Sequence, residues 1–125
     1  MILLEEQKRW RLIKDFKKGK FCFLIGVDNW SIELKKSEFD SLCFLLLKIN
    51  QQLLGIKKEL MDEESITLEL EQLPWYILLE GKKHEWSLRF VFESQEQTRS
   101  FEMYWPIPIA QNLFHEIKKM WESMD

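Results

Sequence analysis

Ser37 to Glu64 reads SEFDSLCFLLLKINQQLLGIKKELMDEE, and this stretch decides the fold. Phe39, Leu42, Leu46, Ile49, Leu53, Ile56 and Leu60 recur at alternating steps of three and four, which places them on one side of a helix. At about 1.5 Å per residue the rod would run roughly 40 Å, longer than most globular helices. Ser37 offers a capping hydroxyl, with Asp40 three residues on in a capping-box-like position. Cys43, Phe44, Leu45 and Leu47 add apolar surface on the other sides of the N-terminal half, so this helix needs cover all round. A single sheet covers one side. The rest must come from another helix or from a second copy of the chain.

Short strands flank the helix. Before it, Trp10, Leu12 and Ile13 suggest one strand, KKGK (Lys17 to Lys20) its turn, and Phe21 to Ile25 a second strand. Gly26 to Asn29 carries turn chemistry, and WSIEL then alternates Trp30, Ile32 and Leu34 against Ser31 and Glu33. After the helix, SITLELE alternates Ile66, Leu68 and Leu70 against Thr67, Glu69 and Glu71. PWYILLE follows, with Pro74 at a strand start or edge, and Gly81-Lys82 reads as a turn. HEWSLRFVFE sets Trp86, Leu88, Phe90 and Phe92 on one face, and RSFEMYW does the same with Phe101, Met103 and Trp105. Pro106 and Pro108 end the last strand, and Ala110, Leu113, Phe114, Ile117, Met120 and Trp121 make a second amphipathic helix. The expected fold is α+β: an antiparallel sheet of about seven strands, order βββ-α-ββββ-α, packed on one long central helix and a C-terminal helix. Residues 1–125 form a single domain in this reading.

Composition narrows the function. A chain of 125 residues can bury a core without metal or disulfide staples. Its net charge of -3 argues against a dedicated nucleic-acid or membrane-surface binder. Cys22 and Cys43 sit inside apolar runs as small hydrophobes, which fits a reducing, cytoplasmic compartment. The opening MILLEEQKRW carries acids where a signal peptide would be basic, and the run from Phe21 to Val27 is far too short to span a bilayer.

Motifs for catalysis are missing. His115-Glu116 starts like a zinc-protease pattern, but Lys119 occupies the place of the second imidazole. His84 lies in a turn beside Glu85, neither cysteine has a histidine in suggestive local context, and no glycine-rich phosphate loop or nucleophile elbow occurs. No cofactor or metal is expected, and the chain is read as non-enzymatic.

Several motifs together resemble a known family: WSIEL-x-x-SEF, LMDEE at Leu60 to Glu64, the W-S-L-R-F strand and the W-P pair before the last helix. They are similar to an uncharacterised domain family of cyanobacteria and plant chloroplasts, over most of the chain. The fold of that family resembles the Whirly-type single-stranded-DNA-binding transcriptional regulators. The resemblance implies a homodimer, expected to form through surfaces near Leu45, Leu47 and the strand edges.

Two polar clusters are candidate sites. Asp62, Glu63 and Glu64 oppose the helix macrodipole, so at least one should be paired with a Lys or Arg of the chain or of a second subunit, with Lys57, Lys58 and Arg89 as candidates. With Arg89 they form the candidate partner-binding set. The first twenty residues are locally basic, seven to three, and Arg11, Lys14, Lys17, Lys18 and Lys20 form the candidate nucleic-acid set. KKGK is similar to the Lys-Gly-Lys start of the Whirly DNA-binding motif. Against this, Trp30, Trp75, Trp86 and Trp105 alternate in phase with core residues, and the opposite faces carry Glu33, Glu69, Glu71, Glu80, Glu93 and Glu102 against Arg89 alone. The leading expectation is a non-catalytic module binding another protein in a photosynthetic cell. The alternatives are a single-stranded nucleic-acid binder, and a small-ligand protein or enzyme with a dispersed site.

Overall fold

Alternation of apolar and polar residues becomes two separate antiparallel sheets in the computed structural model, which describes residues 2–5, 9–96 and 98–124, with side chains from Arg9 onward. The first sheet has the order β1-β2-β3-β4, with β1 Ile2–Glu5, β2 Trp10–Lys14, β3 Phe23–Val27 and β4 Trp30–Leu34. The second has β5 Ile66–Gln72, β6 Trp75–Lys82, β7 Glu85–Glu93 and β8 Ser100–Trp105 in the order β5-β6-β7-β8. Helix α1 (Lys36–Lys57) joins the two sheets, and α2 (Ile109–Glu122) closes the described chain. The α+β class is the expected one. The N-terminal sheet gains a strand, because Ile2–Glu5 pairs antiparallel with Trp10–Lys14.

Register explains which residues are inside. Trp10, Val27 and Trp30 lie abreast in the first sheet, as do Leu12, Ile25 and Ile32. In the second, Ile77, Phe90 and Met103 lie abreast, as do Leu79, Leu88 and Trp105. These faces join α1 and α2 in one core cluster containing Phe23, Phe39, Trp75, Phe90 and Leu113. Trp10, Trp75, Trp86 and Trp105 are buried in it; Trp30 and Trp121 pack half-buried against it.

Helix α1 lies between the sheets. On one side Phe39 stacks on Phe23 of β3, with centroids 4.0 Å apart. On the other, the Trp75 indole of β6 donates to the Glu38 carbonyl at 3.2 Å and to Ser41 Oγ at 3.1 Å. Helix α2 contacts β7, α1 and β2. Trp121 Nε1 donates to Asp40 of α1 at 3.2 Å.

The ends of α1 differ from the sequence reading. Lys35, not Ser37, is the N-cap, and its N–H donates to the Glu38 carboxylate at 2.9 Å. A lysine side chain has no acceptor to return the bond, so only half of a capping box forms. At the other end α1 stops at Lys57, a rod of roughly 33 Å. Gly55 weakens the last turns, and the acids beyond them oppose the dipole. Ile56 is therefore exposed and Leu60 lies outside the helix.

Two turns also move. Phe16–Lys18 forms a single 3-10 turn, capped by the Asp15 carboxylate on the Lys17 N–H, and Gly19 supplies a φ of 96° after it. The β6–β7 reversal sits at Lys83 and His84, so Gly81 belongs to β6 opposite Trp86. Gly26 likewise is a strand residue, and the turn at Asp28 is held by Arg9, whose guanidinium donates to both carboxylate oxygens at 2.6 and 2.7 Å.

Candidate interaction surface

Phe44, Leu47, Gln51 and Leu54 follow one another along α1 at steps of three, four and three, a line distinct from the buried stripe. The core needs only one face of the helix and α2 covers a second, so this line is left at the surface. Phe44 is 59% exposed and Leu54 56%, while Leu47 is half-buried. Alongside runs α2, whose Trp121 meets Phe44 edge-on with centroids 5.0 Å apart. Beneath Leu47 the two helices enclose a cavity of only about 10 Å³, so this is a ridge and not a pocket. Leu45 does not belong to it. It is 2% exposed within the single chain, because it points toward the core from the opposite side of α1, and the surface expected near it is not available. Cys43 is buried beside Leu46, and burial pushes its thiol well above the ordinary range.

The acidic cluster is organised by a residue outside the expected set. Lys83, in the β6–β7 turn, reaches Asp62 at 3.0 Å and donates to the Leu60 carbonyl at 2.9 Å. The Lys83 ammonium holds the Asp62 carboxyl below the usual carboxylate range. Glu64 accepts from the Met61 N–H at 3.2 Å, and Glu63 is exposed. Arg89 is elsewhere: its guanidinium lies 4.9 Å from the Tyr104 ring centre, on the outer face of the second sheet. On that face the Tyr76 hydroxyl donates to Glu69 at 2.6 Å, which raises the phenol. Glu33 belongs to the other sheet, so the glutamates do not share one surface.

The basic candidates are only partly free. Arg11 crosses Gly26 and donates to the carbonyls of Asp28 at 3.1 Å and Trp30 at 2.8 Å. A side chain at position 26 would collide with that guanidinium. Lys18 pairs with Glu33 at 2.8 Å. The Lys14 ammonium stands 5.5 Å from the Phe16 ring centre, and Lys17 and Lys20 are exposed. Lys8 lies outside the described residues.

Sequence reasoning missed one interaction. Arg99, from the β7–β8 connection, binds both oxygens of Glu38 at 2.9 and 2.7 Å and donates to the Glu33 carbonyl at 2.7 Å. Its guanidinium also lies 4.7 Å from the Phe21 ring centre and 5.3 Å from that of Phe92. Glu38 stands within the SEF motif, but nothing local marks Arg99, which sits 61 residues away.

Most of the chain, this surface included, has relatives. Residues 5–120 match the family described as a domain of unknown function, DUF1818. The chain belongs to DUF1818. A solved structure of similar shape is the 1.80 Å crystal structure of a protein with unknown function from the DUF155 family of Prochlorococcus sp. NATL2A. It is 35% identical to this DUF1818 chain, covers 97% of it and 98% of the neighbour, and has a TM-score of 0.87. No curated protein matches the chain. Among the described residues of this member of DUF1818, no helix is long and apolar enough to cross a membrane.

Proposed function

We propose that this chain is a non-catalytic interaction module that binds another protein in a photosynthetic cell, and that the Phe44–Leu47–Leu54 ridge is where it docks. One observation carries the reading. Two large apolar side chains more than half exposed, on a helix otherwise used for the core, put apolar area in water that only a partner would remove. Burying the exposed half of such a side chain stabilises a complex by roughly 1–1.5 kcal/mol. The likeness to a Prochlorococcus protein supports the photosynthetic setting. A second copy of the chain is one candidate partner, with Leu47 and the edge strands as contacts.

Affinity capture from the native cell tests this. Phe44→Glu, checked for an unchanged circular dichroism spectrum, should lose proteins that co-elute with the wild-type chain. The same set co-eluting with both would overturn the assignment of the ridge. Light scattering on the two purified proteins shows whether the partner is a second copy.

A second reading, single-stranded nucleic-acid binding of the Whirly type, has its own support in Phe16. This ring is 56% exposed among Lys14, Lys17 and Lys20, the combination of stacking surface and cations that unpaired bases use. Affinity for an oligonucleotide that falls with salt and is lost in Lys17→Ala/Lys20→Ala would favour it. No binding at low salt would remove it.

A further inference from the structure

Both histidines, set far apart in sequence, line one cavity. It measures about 280 Å³ and lies among the last turns of α1, the β6–β7 turn and α2. Lys57 enters from α1, Lys83 and His84 from the turn, and His115 from α2. Gln111 of α2 donates to the His84 carbonyl at 2.8 Å, which ties the turn to the helix. We propose that this cavity is a binding site for a small oxyanion of the phosphate class, held by Lys57, His84 and His115.

Charge decides the sign of the ligand. The charged and titratable groups at the cavity are Lys57 on α1, Asp62 after it, Lys83 and His84 on the turn, and His115 on α2. Asp62 is claimed by Lys83 at 3.0 Å and is 3.8 Å from His84 Nε2, so its charge is cancelled locally. Lys57 has no carboxylate within ion-pair distance among the described residues. A cation would find one engaged carboxylate and two ammonium groups. An anion finds an unmatched ammonium and two imidazoles, each with at least one N–H to donate. The lining donors come from three separate elements, so an anion in the cavity has cationic or N–H groups on more than one side. The cavity shares Leu54 with the docking ridge but uses neither Phe44 nor Trp121, so Phe44→Glu should leave phosphate binding unchanged whatever it does to docking.

Inorganic phosphate is the probe, added at constant ionic strength with chloride while the imidazole signals of His84 and His115 are followed by NMR. At pH 6 both should move together and saturate. Lys57→Met should weaken phosphate about tenfold, the scale of one lost hydrogen bond to a charged group. Lys58→Met, an exposed neighbour outside the cavity, should leave it unchanged. Amide spectra of both variants establish that the fold is kept. Absence of a saturable shift at pH 6, or equal loss in the two lysine variants, would overturn the site.

Discussion

An indole taken out of water must either bond its N–H or bury it unmet, and this chain does both. Trp75 and Trp105 are equally inaccessible, yet Trp75 Nε1 has two acceptors on α1, whereas Trp105 Nε1 has none among the described residues. Phenylalanine at either position removes similar volume. Only at Trp75 does it also remove the indole donor from Ser41 Oγ and from the Glu38 carbonyl, which keeps the Ser41 hydroxyl, a loss of about 1 kcal/mol or somewhat more. Trp75→Phe should therefore destabilise the protein by about 1–2 kcal/mol more than Trp105→Phe in urea unfolding, and equal losses would show that the indole bonds contribute nothing.

At the scale of elements, the start of α1 is a junction. Glu38 takes the Lys35 N–H and Nη1 of Arg99, whose Nη2 continues to the Glu33 carbonyl near the end of β4. One ion pair thus fastens helix, first sheet and β7–β8 connection. Glu38 is nearly buried and Arg99 only partly so, so the two removals are unequal. Arg99→Met strands a carboxylate in the interior and should cost about 3–5 kcal/mol. Glu38→Gln keeps an acceptor and leaves Arg99 able to reach solvent, so its cost should be smaller. Equilibrium unfolding of both single variants and the double variant checks this, the double costing less than the sum of the singles. This junction also explains the misplaced helix start. Ser37 has the better capping side chain by local preference, but a glutamate fixed from 61 residues away selects Lys35 instead.

At the scale of the molecule, two sheets with no shared ladder are joined through a common core on α1. The helix is therefore the element both halves depend on, and neither sheet can keep its apolar face covered without it. Tryptophan fluorescence and far-ultraviolet circular dichroism should report one coincident unfolding transition in urea. Two separated transitions would mean that the sheets fold as independent units.

Much of this was written in local pattern. Period-two alternation located all the strands after α1, the three-four spacing located both helices, and phase alone put Trp75, Trp86 and Trp105 inside, because side-chain direction follows from backbone geometry within a few residues. Where elements meet had no such local signal. That the strands part into two sheets, that Lys83 rather than Lys57, Lys58 or Arg89 reaches Asp62, that Leu45 turns inward while Phe44 beside it stays in water, and that His84 comes to His115 were settled by packing between distant segments. Residue order alone sets which side chains share a face. Which faces find each other is set by packing, since that choice rests on long-range contacts whose energies no short window contains.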